Sequence, residues 1–133
     1  MKNLDYIAAK SGQNILVSLK NMDKKELEKL INDVLLVLHG NGIYACILYL
    51  YAREKKKTET AAEELAKELL GSVKESLGID FENLDEKMKN PESVLSLVNE
   101  KICNNTDSLF LVKDLWERTL VYARYGAKAK VKK

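Results

Sequence analysis

Few residues of this chain could do chemistry at neutral pH, and their spacing does not suit it. There is one histidine, His39, and there are two cysteines, Cys46 and Cys103. A histidine acting as general base needs a nucleophile within hydrogen-bond reach, and one binding a metal needs partners at ligand spacing. No serine or cysteine stands beside His39, and no second histidine exists to complete a metal site. A capping or surface role is therefore expected of it. The cysteines lie far apart in sequence, in apolar helical contexts, with no CxxC or Cys/His ligand pattern; two buried, reduced thiols are expected. Gly40-Asn41-Gly42 lacks the preceding strand and the further glycine of a dinucleotide fingerprint. The expectation is a chain that is not an enzyme, with no catalytic residue, metal or cofactor.

Cations and aromatics are the better candidates. Residues 1 to 57 carry ten Lys/Arg against six Asp/Glu, residues 58 to 107 five against twelve, and residues 108 to 133 seven against two. The three segments have formal charges of +4, −7 and +5, for the net +2 of the chain. A chain so polarised can offer a basic surface to a polyanion while keeping an acidic one for a basic neighbour or for itself. The plainer reading of the acidic block is a solvated helical face. In the last helix Leu109, Val112, Leu115, Trp116, Leu120, Tyr122 and Ala123 share one side, expected as core. The other side carries Lys113, Asp114, Glu117, Arg118, Arg124 and Lys128 with Phe110, Val121 and Tyr125 among them. Aromatics beside cations on an outward face suit nucleic-acid backbone and stacking contacts, a protein partner, or a second packing surface. Arg53-Glu54-Lys55-Lys56-Lys57 is a second basic cluster, at a helix end where cations also offset the helix dipole.

These residues must be positioned by helices. The sequence has 133 residues, one proline and six glycines, and is rich in unbranched Leu, Ala, Lys and Glu, which lose little rotamer freedom in a helix. The expectation is an all-α, compact bundle of about six helices in a single domain, large enough to fold without a disulfide or metal. Asp23, with Glu26 three residues on, caps a helix whose inner face is Leu27, Leu30, Ile31, Val34, Leu35 and Leu38, ending near Leu38.

From Val34 to Ala52 nineteen residues pass without a charge. A membrane span would need about twenty residues of unbroken helix, and His39-Gly40-Asn41-Gly42 breaks this one. The stretch reads as a turn between two helices, the second, from Gly42 to about Glu54, being the central apolar helix.

Thr60, with Glu63, caps a fourth helix with Leu65, Leu69, Leu70, Val73 and Leu77 inside, ending at Gly78 and weakened at Gly71. After an acidic connector, Asn90-Pro91 opens a short helix with Val94, Leu95, Leu97, Val98 and Ile102 as its apolar residues. The last helix starts near Asp107, and Asn104-Asn105-Thr106 reads as loop. An N-terminal helix, about Leu4 to Leu19, is interrupted by Gly12. The tail after Ala129 is expected to fray. MKNLDYIAAKSGQ has no continuous apolar core of the signal-peptide kind, so a cytoplasmic protein with no membrane contact is expected.

The helix from Leu27 to Leu38, the turn Asn41-Gly42-Ile43, the apolar run to Tyr49-Leu50, the close Ala52-Arg53 and a final helix ending Tyr122-Ala123-Arg124-Tyr125-Gly126-Ala127-Lys128 resemble a known family. It is the small α-helical subunit of the Cmr complex, the RNA-guided type III-B CRISPR effector. The likeness covers most of the chain as an order of elements, and its specific parts are Leu38 to Arg53 and the final helix. Leu35 stands where the family often has proline, and Tyr44-Ala45 where a polar residue follows the turn; the sister small subunit of type III-A fits as well.

The resemblance implies a non-catalytic subunit of antiviral defence that stacks along the effector. Its implied partners are the backbone and large Cmr subunits, further copies of itself, guide RNA and target RNA. Cations placed for phosphate contact would hold a strand without reading its sequence. The candidate RNA-binding residues are Lys55, Lys56, Lys57, Arg118, Arg124 and Lys128, then Lys10 and Lys20, then His39 and Asn41. A helical adaptor that binds only protein, through the central helix and the Phe110/Tyr125 face, is the alternative.

Overall fold

A computed structural model describes residues 3–52, 59–79, 81 and 90–130, the side chains of Glu59, Thr60 and Lys130 apart. Six α-helices and no strand are found among them: α1 (Leu4–Ser18), α2 (Lys24–Asn41), α3 (Ile43–Ala52), α4 (Glu59–Leu77), α5 (Pro91–Val98) and α6 (Thr106–Lys130), with a π-helical turn at Asn99–Cys103 between the last two. The all-α bundle expected from composition is what forms. The lysines at 55, 56 and 57, most of the acidic connector and the tail beyond Lys130 lie outside the described residues.

Several termini follow from local chemistry. Asn3 Oδ1 accepts from the Asp5 and Tyr6 amides at the start of α1. Asp23 accepts from the Glu26 amide at 3.4 Å to open α2, as its spacing implies. At α5, Asn90 caps the Glu92 and Ser93 amides and Pro91 takes a first-turn position, where its missing N–H leaves no hydrogen bond unmade. Asn105, expected as loop, caps α6 through the Ser108 amide at 3.0 Å. Thr60 is helical and so is not the cap of α4.

Three glycine expectations are corrected. The helix break is narrower than Gly40-Asn41-Gly42 implied: α2 continues through His39, Gly40 and Asn41, and only Gly42, at φ 96°, redirects the chain. One positive-φ residue suffices, because the Gly42 N–H closes on the Leu38 carbonyl while its own carbonyl accepts from Cys46 of α3. Neither Gly71 nor Gly12 breaks its helix. Gly12 is buried against α6, where a Cβ would lie 3.2 Å from the Thr119 carbonyl oxygen and 3.3 Å from the Ala123 nitrogen.

The helices close a ring. α1 packs on α4 and α6, α6 on α2, α2 on α3, and α3 on α4, while α5 and the π-turn cover α3. Directions follow from pairs of residues. Asp5 meets Arg118 and Gly12 meets Ala123, so α1 and α6 run parallel. Asn32 meets Arg124 and His39 meets Glu117, so α2 and α6 are antiparallel. Inside the ring, Ile7, Ile15, Leu30, Leu38, Ile47, Leu65, Leu69 and Trp116 are essentially fully buried. The Trp116 indole N–H donates to the Leu69 carbonyl at 2.9 Å, satisfying the one polar atom of the largest core side chain. Helix α3 has several neighbours, as expected of a central helix, yet Tyr44 and Leu48 remain about half exposed.

The two helical glycines should respond oppositely to alanine. Gly71→Ala adds a methyl with nothing within 4 Å and should raise stability by about 0.5–1 kcal/mol through the reduced entropy of the unfolded chain. Gly12→Ala gains the same propensity but drives a methyl into α6 backbone, so a net loss of about 1 kcal/mol is expected. Urea unfolding of both variants measures the difference.

Candidate nucleic-acid interface

Which cations face solvent freely is decided by helix pairing, and three of the sequence candidates are already occupied by carboxylates. Lys10 of α1 lies 3.3 Å from Glu75 of α4. His39 Nδ1 lies 3.1 Å from Glu117 of α6. Arg118 contacts Asp114 at 3.2 Å and Asp5 of α1 at 3.5 Å, and these carboxylates, Asp114 first, push its pKa up. Each links two helices, or two turns of one, at an exposed surface, where an ion pair adds little to stability. Their effect on binding is larger, since a neutralised cation has less field to offer a phosphate.

Tyr122 corrects the inner-face assignment of α6. It is 38% exposed and lies at the α1 rim, where its hydroxyl donates to Asp5. That hydrogen bond, more than its partial burial, pushes the phenol up. Val112, Leu115, Trp116, Leu120 and Ala123 are buried as expected, and Leu109 is partly so.

A ridge remains on the outer side of α6. At 100° per residue Phe110, Asp114, Glu117, Val121, Arg124, Tyr125 and Lys128 share it, and Phe110 and Tyr125 are 65% and 58% exposed. The Arg124 guanidinium carbon sits 5.2 Å from the Tyr125 ring centroid, a cation–π contact. Arg124 also donates to Asn32 Oδ1 of α2 at 3.4 Å. Between α2 and α6 there runs a groove of about 360 Å³, lined by Glu28, Lys29, Asn32, Asp33, Arg124 and Lys128. The structure thus brings Arg124 and Lys128 together. Lys20, past the end of α1, and Asn41, in the last turn of α2, are exposed and line no part of this groove. Sequence reasoning missed Asn32, which has no charge and stands among polar residues of the outer face of α2. Only its position opposite Arg124 gives it a role, and that requires the antiparallel pairing.

No group of three or more His, Cys, Asp or Glu able to hold a metal occurs among the described residues, and no described helix is long and apolar enough to cross a membrane. Cys46 is buried and free; Cys103 is half-buried and free. Burial pushes the Cys46 thiol from 9.0 up to about 12. Burial also raises Cys103, opposed by a hydrogen bond with the Tyr44 backbone. In comparisons with protein-family models, curated proteins and solved structures, no match to the chain was found.

The raised thiol makes stability pH-dependent in a defined direction. A buried thiol that keeps its proton contributes fully below the unfolded value of 9.0, and the contribution is lost as pH rises toward about 12. Urea midpoints of the wild type should therefore fall more steeply above pH 9 than those of Cys46→Ala; parallel pH profiles would contradict this.

Proposed function

We propose that this chain is a non-catalytic small subunit of a type III-B RNA-guided CRISPR effector, in which it stacks beside the backbone and large subunits and contacts the phosphate backbone of guide or target RNA. The observation that supports strand contact is the end of the α6 ridge, where Arg124 stacks on exposed Tyr125 and Lys128 lies one turn on. An aromatic face for a base beside cations for phosphate is the combination that single-strand binding needs, and it requires no sequence readout. The likeness around Asn41-Gly42-Ile43 and in the final helix supports the effector assignment.

The alternative, a helical adaptor that binds only protein, is favoured by the exposed apolar side chains. Phe110 and Leu36 are each 65% exposed, and Tyr44 and Leu48 are 43% and 46% exposed on α3. Exposed apolar side chains serve a protein neighbour better than a phosphate chain.

Copurification with the tagged chain discriminates these readings. The effector reading expects other Cmr subunits and guide RNA to be recovered, whereas type III-A subunits would reassign the chain to the sister complex. Recovery of protein without RNA supports the adaptor. In mobility-shift titrations with single-stranded RNA, log affinity should fall with log salt by about 0.7 for each phosphate contacted. Absent or salt-indifferent binding of the assembled complex would count against strand contact.

A further inference from the structure

The groove between α2 and α6 has an unbalanced set of charges. Its two carboxylates are both engaged by lysines of their own helix: Asp33 lies 2.9 Å from Lys29, and Glu28 3.3 Å from Lys24. Its two α6 cations are not matched. Among the described residues neither Arg124 nor Lys128 has a carboxylate within ion-pair distance, and Arg124 has only the Asn32 carbonyl and the Tyr125 ring. The Arg124 Nε is moreover buried with no acceptor. Asn32, whose Oδ1 accepts from Arg124, lines the same groove, and its amide nitrogen has no partner among the described residues.

We propose that this groove is a phosphate-binding site, in which Arg124, the Asn32 amide and Lys128 hold the oxygens of one phosphate group. A guanidinium fork matches two phosphate oxygens at once, and the lysine adds a point charge that needs no fixed geometry. Asn32 orients the fork by accepting from one of its nitrogens. Tyr125, stacked on the same guanidinium, offers its exposed face to whatever the phosphate carries. The site deepens the strand-contact reading and rests on it only for the source of the phosphate, since a phosphodiester backbone and a free nucleotide present the same oxygens.

Three probes added to the full-length ¹⁵N-labelled chain test it: inorganic phosphate, uridine monophosphate and a ten-nucleotide oligouridylate. The Arg124 Nε–Hε and Asn32 side-chain amide resonances should shift saturably with each. Lys128→Ala and Arg124→Lys should each weaken binding about tenfold, the loss expected for one charge-assisted hydrogen-bond set. Lys113→Ala, a cation of α6 outside the groove, should change nothing. Unchanged circular dichroism and melting temperature exclude misfolding of the variants. Static Arg124 and Asn32 resonances, or an equal loss in Lys113→Ala, would overturn the site. RNA binding that survives both groove variants would overturn it while leaving strand contact standing. Saturable binding of phosphate and nucleotide without oligouridylate would uphold the site and reject the strand reading.

Discussion

The hydrogen bond from the Trp116 indole to the Leu69 carbonyl fixes the rotation of α6, and the rest of the structure follows from that rotation. A buried tryptophan removes about 150–250 Å² from water, worth roughly 4–6 kcal/mol at 25 cal/mol per Å². Its N–H would forfeit part of that gain if left unpaired. With Trp116 pointing into the ring and held on α4, Thr119 and Ala123 must face α1, and Leu120 must stay inside. Phe110, Val121, Arg124 and Tyr125 are then left on the outside. The candidate surface is thus a consequence of how the core is built.

Electrostatics refine this surface mainly by subtraction. The polarised chain does partly serve itself: Glu75 and Glu68 of the acidic segment take up Lys10 and Asn14 of α1. Asp5 and Asp114 take up Arg118, and Glu117 takes up His39. Each pair contributes little to stability, yet those at Lys10 and Arg118 mute two cations that would otherwise add to a diffuse positive field. Among the described residues Arg124 and Lys128 keep their charge unmatched by a carboxylate, and they lie beside an exposed aromatic ring.

The helices were legible because the 3.6-residue period and side-chain caps act locally. Leu27 to Leu38, Asp23 and Asn90-Pro91 needed no tertiary information. The break after α2 was legible only coarsely: Gly40 lies in a helix because an interior glycine costs only about 1 kcal/mol there, which packing of Leu38 and Ile43 offsets. Gly12 read as an interruption, but it is the point where α6 approaches α1. Tyr122 fell on the apolar side by angle, and Asp5, 117 residues away, draws its hydroxyl to the rim. Asn32 could not be read at all, because its role depends on which helix runs antiparallel to α2. Partners across helices are fixed by topology, which a single sequence does not encode locally.

The central claim is that the outer end of α6 meets RNA. Photo-crosslinking of the assembled complex to its own RNA, followed by mass-spectrometric mapping of the linked peptides, addresses it most directly, because an aromatic ring stacked on a base forms such links efficiently. The account predicts crosslinks at Tyr125, lost in Tyr125→Ala while those in other subunits persist. Crosslinks confined to other surfaces of this chain, or RNA recovered with no link to α6, would contradict it.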